Sequence, residues 1–268
     1  MKKILFLALF LPILFLAQND KSKLIIGINI GGHSANKNTA GLYKGDVTTN
    51  NIYTIFNTPN YQTNFDNYFQ YPYSVVETPL NSHYRIGLEV GAHIGQRNKN
   101  GELFIEMNFL NLEVQEYYTV AIDNPNNSTP DPTYQPLPIF GEEKRTLINL
   151  GYSIDLYNEN DIIVGFPFFA QLTNTRLQRN YIEVNGQTYN IYHGQIGQPN
   201  TNPGGTGAGL GIGLTGSVKF NKQFSFMAGY YAQYSKINMN DNLKPYGLHH
   251  SIFARIIFGK NSLTKEAI

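Results

Sequence analysis

Cysteine is absent from all 268 residues, which excludes a disulfide framework, a thiolate-bound metal and a lipid anchor on an N-terminal cysteine. Charge is scarce too, at 15% of residues, so something other than Lys and Glu covers much of the surface. Past residue 17 no apolar run is long enough for a membrane helix. If such a chain enters a membrane, it does so as a closed barrel. Nor is there a basic excess: the formal net charge is +1, which leaves no electrostatic footprint for nucleic acid.

The N-terminus has the layout of a secretory signal peptide. Lys2 and Lys3 precede an apolar run over residues 4–17, the charged and hydrophobic regions of such a leader, with cleavage expected after Ala17. Residues 1–17 are therefore set aside. The barrel is expected over 18–259, and 260–268 is left as a short tail.

Period-two alternation is cleanest over residues 83–96. One column reads Tyr84, Ile86, Leu88, Val90, Ala92, Ile94, and the other Arg85, Gly87, Glu89, Gly91, His93, Gly95. The first is wholly apolar; the second mixes glycine with ionisable groups. The same grammar recurs over residues 24–31, 145–157, 161–173, 207–221, 224–235 and 252–258, and no apolar column among them holds a charge. A further strand opens with Leu103, Ile105, Met107 and Phe109, after which the apolar phase slips to Leu110, Leu112 and Val114. That slip implies a bulge near Phe109 or the end of the membrane-embedded part. Pro167 lacks an N–H in the middle of a strand, which implies a bulge or a shifted strand boundary there.

The connections alternate in length: long at 32–82, 121–143, 176–206 and 236–247, short at 97–101, 158–161 and 221–223. Brief turns at one end and long loops at the other are the layout of an outer-membrane barrel with both termini in the periplasm.

This pattern resembles the small eight-stranded outer-membrane barrels of the OmpA and OmpX type, through alternation, loop lengths and an aromatic-rich closing strand over residues 251–258. The resemblance implies an all-β, antiparallel, up-and-down transmembrane barrel of eight strands, with ten as the alternative count, set integrally in a bacterial outer membrane among its lipid and lipopolysaccharide. A soluble eight-stranded barrel would alternate in the same way with its apolar column inward. The dearth of Lys and Glu, the loop asymmetry and the aromatic residues near strand ends (Tyr84, Phe220, Phe224, Tyr234, Phe258) favour lipid.

The inward columns then hold Arg85, Lys219 and Arg255 against Glu89, Glu106 and Asp155, with His93 among them. Eight strands enclose only enough room for side chains, so the default is a paired network plugging the lumen; a small gated channel is the alternative. A lipid A-modifying, deacylase-like enzyme would need a nucleophile with its base and acid. His249-His250-Ser251 is the nearest approach, and no carboxylate follows at a useful spacing on that strand or its hairpin partner. No catalytic, cofactor-binding or metal-ligating set is assigned. The first long loop holds Tyr43, Tyr53, Tyr61, Tyr68, Phe69, Tyr71 and Tyr73 among many Asn residues, chemistry that suits either a contact surface for an unidentified protein or glycan, or the core of a cap over the barrel mouth. Asn185-Gly186 between apolar runs reads as a type I′ hairpin reaching above the membrane. The functional expectation is a non-enzymatic barrel anchoring extracellular loops for binding or envelope assembly.

Overall fold

The computed structural model describes residues 23–46, 50–159, 161–193, 203–221, 224–239 and 246–259. The expected leader and the tail at 260–268 lie outside the described residues, as do parts of the loops expected at 176–206 and 236–247. In chain order the strands and helices are β1 (Lys23–Ser34), β2 (Gly45–Asp46), β3 (Asn50–Asn51), α1 (Ile52–Phe56), α2 (Pro59–Phe69), β4 (Tyr73–Glu77), β5 (Gly87–Arg97), β6 (Gly101–Ile122), β7 (Thr133–Glu159), β8 (Ile162–Val184), β9 (Gln187–Asn190), β10 (Gly204–Lys219), β11 (Phe224–Lys236) and β12 (Tyr246–Gly259).

Strands β1, β5, β6, β7, β8, β10, β11 and β12 form one antiparallel ring, closed by β12 on β1. The register from Leu24 runs through Gln96, Leu103, Tyr152, Phe168, Ile212, Ala232 and His250 and returns at Ser34. That stagger of ten positions, from 24 to 34 on β1, goes with a strand tilt of ~40°.

The outward columns are apolar and bare: Leu210 is 70% exposed and Ile252 68%. Side chains of this kind, left exposed all round a ring, need hydrocarbon against them. On β8 the column runs from Ile162 to Leu172, ~33 Å of strand or ~25 Å along the tilted barrel axis, the height of the apolar band of an outer-membrane barrel. The chain thus folds as a small eight-stranded barrel of the outer-membrane type.

Above the belt, at the end away from the termini, β6, β7 and β8 continue as a tall wall. Phe109 carries no bulge, because β6 pairs with β7 in unbroken register from Gly101 to Ile122. The apolar phase slips because the surroundings change: Phe109 faces lipid, whereas Leu110, Leu112 and Val114 are buried inward and Asn111 and Glu113 meet solvent. Pro167 also sits in unshifted register, opposite Ser153; the ladder to β10 instead lapses across Gly213 and Leu214. Among the described residues of the ring the bulges lie elsewhere, at Leu156 on β7 and Gln178 on β8.

Residues 133–143, expected as loop, are strand, so the second long connection is only 123–132. Pro136 and Pro138 disguised that strand. Both pair with β6, and β7 meets β8 only from Ile139, so their missing N–H groups cost no ladder bond.

With β4 added beside β6 and β9 beside β8, the wall becomes a five-stranded sheet against which α1 and α2 pack. Helix α1 starts in a capping box of Asn51 and Thr54, and α2 has Pro59 in its first turn. The β8–β9 hairpin turns through Asn185 (φ 52°) and Gly186 (φ 73°), the paired left-handed residues of a type I′ turn.

Candidate functional site

Two structures fill the inside of the molecule: a polar column within the barrel and an aromatic cap above it. The column follows from strand alternation, since every second residue of eight tilted strands must share a bore with no room for bulk water.

At the end near the termini, Arg97 pairs with Glu102 at 3.1 Å and Asp155 at 2.5 Å, beside a narrow pocket lined by His93, Ser153, Thr215 and Tyr231. Glu102 reaches Nε2 of His93 at 2.5 Å, and Nδ1 of the same ring meets Glu106 at 2.9 Å. Glu106 is the hub. It also accepts from Tyr231 at 3.0 Å and from the Arg255 guanidinium, and Arg255 Nε donates to Asn29 at 2.6 Å. A belt of amides comes next, with Gln171 donating to Asn149 and Gln233 at 2.9 Å each. Higher still, the Ser251 hydroxyl donates to Glu89 at 2.7 Å and lies 2.9 Å from Nδ1 of His33. The column ends where Arg145 bonds Glu143 at 2.5 Å and lies over the Tyr84 ring. Charges this deeply buried persist only where partners satisfy them, and here carboxylates and guanidiniums interleave along the bore.

Glu89, His93, Glu106, Asp155 and Arg255 therefore stand inside, in one network, as their alternation implies. Arg85 and Lys219 do not. Strand β5 begins at Gly87, and before it Tyr84 turns inward through an isolated bridge to Val114, leaving Arg85 exposed beside Gln115. Lys219 is the last residue of β10, exposed at the rim. Sequence reading missed Arg97 and Glu102 because they flank a turn, and Glu143 because its segment read as loop. The odd column Glu143, Arg145, Leu147, Asn149 kept the inward phase of β7 and was the available signal.

Ser251, His33 and Glu89 were not brought together by sequence either, since they come from β12, β1 and β5, which meet only on closure. The trio is no relay. Hydroxyl and carboxylate both address Nδ1 of His33, at 2.9 and 3.3 Å, and Nε2 has no hydrogen-bond partner; a relay needs one partner on each nitrogen. His93 likewise faces its two carboxylates with opposite nitrogens, so the three groups do not converge on a point, and among the described residues no metal-binding cluster forms.

The cap decides the role of the loop aromatics. Phe56 stacks on Phe65 at 4.6 Å, Phe65 meets Tyr189 at 4.8 Å and Phe69 meets Tyr73 at 4.6 Å, over Tyr118, Ile139 and Ile182 of the sheet. Tyr61 and Tyr68 pack against this cluster, and Tyr71 is half-buried with its hydroxyl accepting from Asn126. Tyr43, on the 3-10 turn Lys37–Lys44, closes the bore: it bonds Glu143 at 2.7 Å and lies so close over Gly141 that a Cβ there would meet its ring at 2.0 Å. Of the seven rings offered as a contact surface only Tyr53 is exposed. Burial, then Glu143, pushes the phenol pKa values of Tyr43 and Tyr84 up; burial chiefly does so for Tyr118. Tyr73 is pushed up to about 12 by burial and by its bond to Asp66.

No family model matches the chain, and no curated protein does. Among solved structures, Neisserial surface protein A (NspA) aligns with 12% identity over 89% of this chain and 99% of its own, at a TM-score of 0.36. Ail, the attachment invasion locus protein of Yersinia pestis, in complex with the heparin analogue sucrose octasulfate, aligns with 8% identity over 90% of this chain and 99% of its own, at 0.38.

Proposed function

We propose that this chain is a non-enzymatic outer-membrane protein, a plugged barrel that anchors a raised platform on the cell's outer face for a protein or glycan partner or for envelope assembly. Both termini then lie in the periplasm, and the leader over residues 1–17 is removed on export. The observation that carries the reading is the continuous inner face of β6, β7 and β8. It passes from the hub at Glu106 through Arg145 and Tyr43 into the cap core, and the chain's own side chains occupy it throughout.

A channel is disfavoured because ions would have to cross that packed column. Catalysis is disfavoured because Ser251, His33 and Glu89 are each exposed by 3% or less and lack relay geometry. What remains accessible is the platform: Tyr53, Tyr134 and Tyr192 and the outer face of the sheet. In planar bilayers the protein is expected to pass no current above background, and deletion of the gene to leave the lipid A mass spectrum unchanged. Full-length protein is expected to recover a partner from native envelopes that a variant lacking residues 50–77, checked for heat-modifiable migration, does not. Steady conductance or an altered lipid A spectrum would refute the plugged, non-enzymatic anchor; equal recovery by both proteins would refute the platform.

A further inference from the structure

The outer face of the tall wall holds a cation pair that makes no ion pair among the described residues. Lys144 on β7 lies directly opposite Arg176 on β8, and both are exposed. Like charges placed directly across a sheet repel and destabilise it unless a counter-ion sits between them. Neither side chain has an ion-pair partner among the described residues. In the next row outward Glu113 faces Glu142, and there Arg179 pairs with Glu142 at 2.5 Å, so over the two rows three cations stand against two carboxylates. Lys236, two residues past Tyr234 on the outward column of β11, adds a third positive charge beyond the belt.

Height identifies the counter-ion. Lys144 and Arg176 stand four positions beyond the belt residues Ile148 and Leu172, ~10 Å along the tilted axis, which is headgroup level just outside the hydrocarbon. Four positions further out on β7, Phe140 stacks on Tyr181 with ring centroids 5.1 Å apart, and Tyr117 beside them is 56% exposed. These rings alternate with Tyr118, Ile139 and Ile182 of the cap core, so they face away from the molecule, toward whatever surrounds the barrel above the membrane. Amphipathic rings offer flat faces with polar edges, a stacking surface for sugars.

We propose that this strip seats one phosphorylated glycolipid of the outer leaflet, with its phosphates between Lys144 and Arg176 and its headgroup sugars rising along Phe140, Tyr181 and Tyr117. The assignment rests on the membrane placement proposed above. The cations come first above the belt, as phosphates do in such a lipid, and the rings follow at the height of the sugars.

The test uses full-length protein folded into phosphatidylcholine vesicles, where heat-modifiable migration reports insertion. It is then moved to detergent with added lipid A or rough lipopolysaccharide, and bound lipid is counted by native mass spectrometry. Charge-assisted phosphate bonds are strong, so Lys144→Gln/Arg176→Gln is expected to weaken retention of both lipids by roughly tenfold or more. Lys144→Arg/Arg176→Lys should restore it, and Arg179→Gln should change it by less than about twofold. Tyr117→Ala should weaken rough lipopolysaccharide and spare lipid A. Equal retention by the Gln variant and the wild type overturns the site. So does a Gln variant that keeps the lipid and loses only soluble heparin, which would assign the cations to a free polyanionic glycan. Failure to insert into plain vesicles overturns the membrane placement and this site together, whereas insertion with unaltered lipid retention overturns the site alone.

Discussion

Phe65 provides the sharpest test of the division between barrel and cap. It is completely buried on α2, stacked on Phe56 at 4.6 Å and against Tyr189 at 4.8 Å, and its cluster shares no residue with the apolar cluster of the barrel interior. Phe65→Ala removes the ring and leaves a cavity that α2 closes only in part, a loss of about 3–5 kcal/mol. At 1.4 kcal/mol per factor of ten, this raises the opening equilibrium of the cap by roughly 10²-fold to several thousand-fold. Hydrogen exchange in vesicles reads the effect segment by segment. Amides of α2, β9 and the outer part of β8 are expected to lose protection by that factor, while β1, β11 and β12 keep theirs. Phe65→Leu, which roughly conserves volume, should cost less than about 1.5 kcal/mol. Equal loss of protection in β1 and β12 would mean that cap and barrel open as one unit, and no loss anywhere would mean that Phe65 is not the centre of a core; either result refutes the reasoning.

Three further expectations concern the column and the cap. Glu106→Gln leaves Arg255 buried without its carboxylate and should destabilise the barrel by about 3–5 kcal/mol, whereas Glu106→Leu/Arg255→Met should recover most of that loss, as read by urea titration in vesicles. Ser251→Ala should leave the lipid A mass spectrum and bilayer silence unchanged and cost about 1–3 kcal/mol through the donor lost to Glu89; a changed lipid A spectrum would reinstate catalysis. Tyr73, with its phenol raised from 10.0 to about 12, contributes stability that is complete below pH 10 and lost as pH rises through about 12. A difference absorbance titration against Tyr73→Phe should therefore show the missing phenol ionising near pH 12, and ionisation near pH 10 would remove Asp66 and burial as its controls.

The sequence by itself determined the ring. Uncharged alternating columns and short connections at 97–101, 158–161 and 221–223 point to a ring of lipid-facing strands, eight with ten as the alternative, that satisfies both backbone and side chains, and Asn185-Gly186 announced its own hairpin. Five of the seven lumen residues were legible for the same reason, because alternation assigns a face without knowledge of the partner. The failures came where alternation stops being the governing constraint. Tyr84 sits outside the regular strand, so its face, and with it that of Arg85, was set by a bridge to Val114. Above the belt, solvent replaces lipid, and the apolar phase of β6 moved from Phe109 to Leu110 without any change in the chain's path. Only the tertiary structure decided which residues meet across the closure of the ring, such as Ser251 with His33 and Glu89. It alone showed that the loop rings form a core, with Tyr43 held by Glu143, and that Lys144 and Arg176 share one exposed row. Pairings between distant strands depend on stagger, a property of the whole ring that no single segment encodes.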